Sequence, residues 1–248
     1  MLQKTCKKLG ILGQGILMKY NVLRFDTVVS TNNTLKKLNA PPWTVVVANR
    51  QTGGKGRNGR SFSSPVGGLY MSIAVNAPTV EEKLFEPVKA AVAVCVTLSK
   101  YLNCRIKWPN DIVSEGKKIC GILAEGTGDK VILGIGVNVN TPAGYFTENN
   151  LPHAGSIYSI TGKEAPCDEV LNSIIECYQS LGERSDIINI YRQKSITIGK
   201  EVKVICANSF YFAKAVGITE KGELEVVKDG DTILVNSGEV SIRGSEYA

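Results

Sequence analysis

Residues 52–62 read TGGKGRNGRSF, four glycines (Gly53, Gly54, Gly56, Gly59) interleaved with three cations (Lys55, Arg57, Arg60). Glycine lifts the steric limits on φ and lets backbone N–H groups approach a ligand closely, while the cations add a field that an anion feels. Phosphate is the obvious candidate, but taken alone the segment reads more readily as a solvated basic loop or a nucleic-acid-binding tail, and the rest of the chain has to decide. The flanks decide between folds. Residues 54–61 nearly match the phosphate-binding G-x-x-x-x-G-K-[ST], with Arg60 in the lysine position, but such a loop continues into a helix. Here residues 62–68, FSSPVGG, carry Pro65 and two further glycines before the apolar run at 69–75, and a β-branched run at 43–48 leads in. The loop is therefore framed by strands. This excludes both the P-loop and the dinucleotide fold and leaves backbone donors and guanidinium groups able to close over an anion.

Working outward, Ser30-Thr31-Asn32 precedes an amphipathic stretch with Leu35 and Leu38, which predicts a side-chain-capped helix starting at Asn33 or Thr34. Apolar residues at 88, 91, 92, 95, 98 and 102 recur at helical spacing and predict a core helix over 87–102, with Pro87 in its first turn. Residues 105–108 and 111–113 predict strand around Pro109. A turn at 114–117 then leads into strands at 119–124 and 130–140, an antiparallel meander with Gly134 and Gly136 leaving room for another group to approach. Helices are predicted over 168–181 and 185–194. After Gly199 five short strands (VKVI, FYFAKAVGI, LEVV, TILV, VSIR) are separated by turns at Asn208, Lys221-Gly222, Asp229-Gly230 and Ser237-Gly238, the spacing of a small β-barrel. The boundary is placed at 196–199.

Composition narrows the classes. At 248 residues, 43% apolar and 21% charged, the chain is an ordinary globular protein of one large domain or one plus a small appendage. No apolar run reaches the length of a membrane span and no secretory signal stands at the start, so a cytoplasmic location is expected. The first 25 residues hold five cations and no acid, which leaves an organelle address open. Seven cysteines, an odd count without a C-x-x-C pair, fit a reducing compartment. The single histidine, His153, lies beside Pro152 in a predicted loop. Its isolation speaks against hydrolysis by a histidine base and against a structural zinc or other dedicated metal site. The net charge of +6 suits an anionic ligand without demanding nucleic acid.

A second segment, Lys107-Trp108-Pro109-Asn110-Asp111 followed by GKKICGIL at 116–123, ends a strand with a cation, an amide and a carboxylate close together. Taken alone it reads equally well as a polar strand end followed by a hairpin. Taken with STN (30–32), QTGGKGRNGRSFSSPVGGLYMS (51–72), KWPNDIV (107–113) and GIGVNVN (134–140), it resembles the biotin protein ligases in order and spacing from about Val22 to Arg243. Two departures stand out: Lys55 occupies a position where that family usually has arginine, and Phe62 one where it has tryptophan. Lysine keeps the charge and loses the planar fork of donors.

The resemblance implies an α+β fold, a mixed β-sheet flanked by helices and related to class II aminoacyl-tRNA synthetases. Residues 1–195 are then a catalytic biotin- and ATP-binding domain and 196–248 a small SH3-like β-barrel. It implies ATP, Mg2+ and biotin as reactants: biotinyl-5′-AMP and pyrophosphate form first, and a lysine of a biotin carboxyl carrier domain then takes the biotinyl group. By family match, biotin is contacted by Ser30, Thr31, Asn32, Gln51, Lys55, Gly56, Arg57 and Lys118. ATP and adenylate are contacted by Gly54, Arg57, Arg60, Lys107, Asn110, Lys118 and Asn138. Lys118, Arg57 and Asp111 are the catalytic candidates, with Asp111 facing the acceptor amine. The loop at 53–60 is expected to be mobile when empty and to order over the adenylate. Magnesium would accompany the triphosphate. No DNA-binding domain fits the 29 residues before the first motif, no membrane contact is expected, and a homodimer is left open. The rival readings are a lipoyl-type ligase and a non-catalytic adenylate- or RNA-binding protein. The scarcity of aromatic residues among the loop cations disfavours RNA.

Overall fold

A computed structural model of the chain describes residues 18–205, 209–236 and 239–242. Strand β1 (Asn21–Val28), helix α1 (Thr31–Leu38) and strand β2 (Thr44–Gln51) form a parallel crossover. There follow β3 (Leu69–Asn76), α2 (Val80–Leu98), β4 (Arg105–Lys107), β5 (Asp111–Ser114), β6 (Lys117–Thr127) and β7 (Lys130–Val137). The seven strands make one sheet in the order β1-β2-β3-β7-β6-β5-β4, antiparallel apart from the first pair. Helices α3 (Ala143–Glu148), α4 (Ile157–Thr161), α5 (Cys167–Ser180) and α6 (Arg184–Lys194) come next. This is the mixed α+β fold expected, with β1, α3 and α4 as additions. Strand β1 is mostly exposed, and Arg24 and Asp26 interrupt its apolar residues, so it lacks the unbroken apolar run by which β2 and β3 announce themselves.

The two faces of the sheet are unequal. Val45, Val47, Met71 and Ile73 point into the main core, where α2 packs on β6 and β7 and is covered by α5 and α6. On the other face a small cluster of Val46, Ala74 and Ile132 meets Leu35 of α1, leaving much of that face open for a site. Helix α2 starts well before the predicted Pro87 and ends at Leu98, with Leu102 buried in the turn beyond. The start is set by Thr79, whose Oγ1 accepts the Glu82 N–H at 3.1 Å while Glu82 Oε2 accepts the Thr79 N–H at 2.8 Å. This reciprocal cap, written in the sequence as T-V-E-E, outweighs the preference of proline for a first turn, and Pro87 sits inside the helix. Thr79→Ala is expected to lower the thermal midpoint by about 2–4 °C, read by circular dichroism. An unchanged midpoint would show the cap to be dispensable.

Strands β8 (Glu201–Ile205), β9 (Phe210–Ile218), β10 (Leu224–Lys228), β11 (Asp231–Val235) and β12 (Glu239–Ile242) form a second antiparallel sheet in the order β11-β10-β9-β8-β12, as in an SH3-like domain. Asp229 and Gly230 make the two-residue β10–β11 turn, both at positive φ (53° and 94°). The expected turns at Asn208 and Ser237-Gly238 lie outside the described residues. Buried residues of both sheets belong to one continuous core. The junction is also hydrogen-bonded. Ile196 N–H donates to Ile106 O (2.9 Å), Trp108 N–H to Thr197 Oγ1 (3.0 Å), the Trp108 indole N–H to Gly222 O (3.0 Å) and Tyr191 OH to Pro109 O (3.0 Å). The segment that presents Asn110 and Asp111 is thereby held from α6 and the small sheet. Among the described residues no helix is long and apolar enough to cross a membrane.

Candidate active site

A cavity of about 170 Å³ opens on the α1 face of the large sheet. Its wall begins at the N-terminus of α1. Ser30, in extended conformation, caps the helix by accepting the Asn33 N–H at 3.4 Å, so the helix begins at Thr31, earlier than the predicted Asn33 or Thr34. Thr31 and Asn32 are consequently first-turn residues turned into the protein, 4% and 3% exposed. The Thr31 N–H, one of the orphan donors of a first turn, is satisfied by Gln51 Oε1 at 2.8 Å.

The glycine-rich segment folds back on itself as a tight hairpin. Gly56 N–H donates to Arg60 O (2.7 Å), Arg60 N–H to Arg57 O (3.1 Å) and Phe62 N–H to Gly54 O (2.9 Å), around a single 3₁₀ turn at Arg57–Gly59. Asn58 and Gly59 take positive φ at its tip. Gly54 is required for a different reason: a Cβ there would stand 2.4 Å from Phe62 O. The hairpin thus carries Lys55, Arg57 and Arg60 to the cavity edge, opposite Lys107, Asn110, Asp111 and Lys118. Lys118 Nζ lies 2.6 Å from Asp111 Oδ1. Its backbone is fixed on both sides, the N–H donating to His153 O (2.7 Å) and the carbonyl accepting the Gly155 N–H (3.0 Å).

The floor is made by three neighbouring strands in which glycines interrupt the cross-strand rows of side chains. Tyr70, Gly136 and Gly121 lie opposite one another on β3, β7 and β6, and Ser72, Gly134 and Leu123 form the next row. The space over the glycines is taken by protein, which corrects the expectation that Gly134 and Gly136 make room for a ligand. A Cβ at Gly136 would lie 2.6 Å from the Phe62 ring, and one at Gly134 would lie 2.3 Å from Asn32 Oδ1. Phe62 therefore lies on the glycine floor, edge-on to Tyr70 with ring centroids 6.4 Å apart.

Behind the floor runs a partly buried polar chain, in which motif reading singles out Thr31, Asn32 and Gln51 but not Lys36, Ser64, Ser72 or Glu125. Glu125 Oε1 accepts from Lys36 Nζ (2.6 Å) and its Oε2 from Asn32 Nδ2 (2.6 Å). Asn32 Oδ1 accepts from Ser72 Oγ (2.5 Å), which also touches Thr31 Oγ1 (2.7 Å). Gln51 Nε2 donates to Ser64 Oγ (2.9 Å), and Ser64 to Phe62 O (2.9 Å). Burial pushes the Glu125 carboxyl up, but the hydrogen bonds from Lys36 and Asn32 and the charges of Lys36 and Lys55 outweigh it and hold it below the ordinary value. One signal was available for Ser72: it is the one serine or threonine inside a strand that is otherwise largely apolar and buried on both faces.

Of the residues named from sequence, Ser30, Thr31, Asn32, Gln51, Lys55, Gly56, Arg57, Arg60, Lys107, Asn110, Asp111 and Lys118 are brought together around this cavity. Gly54 and Asn138 do not line it. Gly54 is internal to the hairpin, and Asn138 spends its amide on the carbonyls of Gly155 (2.9 Å) and Lys118 (3.5 Å). The His153 side chain is exposed and off the cavity lining.

The profile of the Biotin/lipoate A/B protein ligase family matches residues 24–141, and that of the Biotin protein ligase C terminal domain residues 197–243. The Bifunctional ligase/repressor BirA of Bacillus spizizenii is 30% identical over 235 residues, spanning 88% of this chain and 70% of that protein. The Biotin--[acetyl-CoA-carboxylase] ligase of Mycobacterium tuberculosis is 28% identical, over 79% of this chain and 77% of that one. Among solved structures, the biotin protein ligase from Aquifex aeolicus in complex with biotin and ATP superposes with a TM-score of 0.75 at 30% identity, covering 90% of this chain and 98% of that one. The biotin protein ligase from Leishmania major in complex with biotinyl-5-AMP gives 0.61 at 25% identity, covering 88% and 99%. The fold is thus that of the biotin and lipoate ligases as a class. Within that class, the chain belongs to the biotin protein ligase family.

Proposed function

We propose that this chain is an ATP-dependent biotin protein ligase, with residues 1–195 as its catalytic part and 196–248 as its small C-terminal domain. One observation carries the reading: Lys118, paired with Asp111, faces three cations of a glycine hairpin across a cavity floored by the family's strand glycines.

In the first step a biotin carboxylate oxygen bonds to the α-phosphorus of ATP as the bond to the bridging oxygen breaks, and pyrophosphate leaves with that electron pair. No base is needed, because a carboxylate of pKa about 4–5 is already ionised at neutral pH. The work is to hold two anions together and to stabilise charge growing on phosphate, which suits Lys55, Arg57, Arg60, Lys107 and Lys118. Ser30, Thr31, Asn32 and Gln51, with Gly56 on the hairpin, are assigned to the biotin head. Asn110 and the hairpin at Gly54 are assigned to the nucleotide. Asn138 acts through Lys118, whose carbonyl it holds. Magnesium would enter with the triphosphate, and Asp111, the one carboxylate among the described lining residues, is able to add a ligand to it.

In the second step the acceptor lysine amine attacks the biotinyl carbonyl, AMP leaves, and the amine proton is released. Asp111 is positioned to orient that amine or take its proton once Lys118 has turned to the acyl phosphate. The hairpin orders over the adenylate and keeps water from the mixed anhydride. The acceptor is a biotin carboxyl carrier domain.

The test is incubation with radiolabelled biotin, ATP, Mg2+ and a biotin carrier domain with or without its target lysine. Biotin-dependent pyrophosphate release and label on the lysine-bearing carrier are expected. Pyrophosphate release driven by lipoate in place of biotin would establish the lipoyl-type reading, and release with neither acid would remove ligase activity altogether.

A further inference from the structure

The three residues between β4 and β5, Trp108-Pro109-Asn110, close a hairpin that sets Lys107 opposite Asp111 at the cavity. β4 is only three residues long and is the outermost strand of its sheet, so its ladder gives the hairpin little rigidity of its own. Asp111 is also held by Lys118 at 2.6 Å. That hold is given up in the second step, once Lys118 has turned to the acyl phosphate, and the carboxylate then stands where its backbone puts it. On the inner side that backbone is anchored to β6, Ile122 N–H donating to Asn110 O at 3.0 Å.

The outer anchor comes from the small sheet. The Trp108 indole N–H donates to Gly222 O, 3.0 Å away in the turn between β9 and β10. Gly222 has φ +85° and a Cβ there would lie 2.6 Å from Val88 Cγ2, so glycine lets the turn press on α2 and bring its carbonyl to the indole. Gly222 N–H to Thr219 O (2.9 Å) closes the turn, and Thr219 Oγ1 accepts the N–H groups of Lys221 and Glu223, both at 3.2 Å. The turn is gripped in its turn from α6. Arg192 Nε donates to Ile218 O at 2.7 Å, and Nη2 reaches the same carbonyl and Glu220 Oε1, the latter at 3.0 Å. Two adjacent residues of α6 thus hold the hairpin by two routes: Tyr191 directly, through Pro109 O, and Arg192 by way of the turn at 218–223. Arg192 itself does not line the cavity.

We propose that Arg192 is a positioning residue for the transfer step: by clamping the turn at 218–223 it keeps Trp108 in place and so aims Asp111 at the acceptor amine. The inference rests on the ligase reading and adds to it a residue that touches neither reactant. Displacing a reacting group by about 1 Å can cost about 10²-fold in rate. The biotin head is assigned to α1, β2 and the glycine hairpin, so loss of this remote anchor is read in the rate of transfer and not in biotin affinity.

The experiment is a double-mutant cycle between Arg192 and Asp111. Wild type and variants are loaded with radiolabelled biotin, ATP and Mg2+, freed of excess nucleotide and mixed with a biotin carrier domain, and label on the carrier is followed through one turnover by rapid quench. Arg192→Ala is expected to slow transfer about 10-fold while biotin affinity, from calorimetry, stays within about twofold. Arg192→Lys still offers a donor to Ile218 O and a charge to Glu220, and should restore most of the rate. Asp111→Asn alone should slow transfer about 10²-fold, and in that background Arg192→Ala should add less than about twofold, since no carboxylate is left to misplace. Thr219→Val keeps the side-chain shape but loosens the turn, and should show the same dependence on Asp111; it serves should Arg192→Ala fold poorly. Losses that multiply in the double variants, an undiminished transfer rate in Arg192→Ala and Thr219→Val, or a fall in biotin affinity as large as the fall in rate would make Arg192 merely structural and overturn the proposal. Transfer at the wild-type rate by Asp111→Asn would remove the carboxylate from this step and the inference with it, whereas a wild type that neither releases pyrophosphate nor labels the carrier would overturn the ligase reading itself.

Discussion

Replacing Lys118 with alanine is expected to slow biotin-dependent pyrophosphate release by about 10²–10³-fold, the scale of one preorganised electrostatic donor. The expectation rests on placement. Lys118 is held by backbone hydrogen bonds to His153 and Gly155, and its aliphatic stem runs past Gly121, where a Cβ would lie 3.2 Å from Cε. The ammonium is thus delivered to one spot at the cavity, 2.6 Å from Asp111, rather than searching for it. The loss is separable from unfolding. Lys118 and Asp111 have side chains 36% and 22% exposed, and a partly solvated pair of this kind contributes on the order of 0–1 kcal/mol to stability. A thermal midpoint close to wild type together with a collapsed single-turnover rate is the expected pair of results. A rate within threefold of wild type would remove Lys118 from the chemistry. Lys118→Arg is a useful companion, because it keeps the charge but replaces a compact ammonium by a wider fork; an intermediate rate is expected, measured in the same rapid-quench assay.

Much of this site is legible in the sequence because its residues are tied to backbone demands that leave marks. Pro65 and the glycines around it rule out a helix after the basic loop, and strands do flank it. Asp229-Gly230 announces a two-residue turn and forms one. The five strands after Gly199 are set by short alternating runs, and all five occur. What stayed hidden has physical reasons. The edge strand β1 is only partly covered: Val22 and Leu23 pack against the core clusters while Arg24, Phe25 and Asp26 between its apolar residues face outward, so no continuous apolar run marks it. The start of α2 is hidden because Pro87 signals a first turn strongly, whereas the reciprocal cap at Thr79 that sets it is a weaker mark in the sequence. Ser72 and Glu125 are far apart in the chain from Asn32, and only the register of β3 with β7 and β7 with β6 brings them under one helix turn. The strand glycines were read as space for a ligand. A sequence says that a side chain is missing there, but not whether a ligand or a neighbouring side chain fills the gap.

Gly134→Ala tests who fills it. A methyl group at this position would stand 2.3 Å from Asn32 Oδ1, 3.0 Å from Cγ and 3.1 Å from Nδ2, well inside contact distance, and the strand itself has little freedom to retreat. β7 is paired along its length on both sides, to β3 and to β6. The Asn32 amide must therefore leave, and it leaves two buried hydrogen bonds behind, to Glu125 and Ser72. Each such loss costs about 1–3 kcal/mol, which divides between weaker folding and weaker binding. Biotin affinity is accordingly expected to fall by about 10–10²-fold, measured by calorimetry, while the rate at saturating biotin changes far less, because Lys118 and the hairpin cations are untouched. Gly144→Ala provides the contrast: its nearest neighbour would be 3.8 Å away, and it should leave biotin affinity unchanged. A Gly134→Ala protein that binds biotin within twofold of wild type would mean that the amide of Asn32 has no part in holding the head group. The contacts to the biotin head would then have to come from Ser30, Thr31, Gln51 and the hairpin at Gly56.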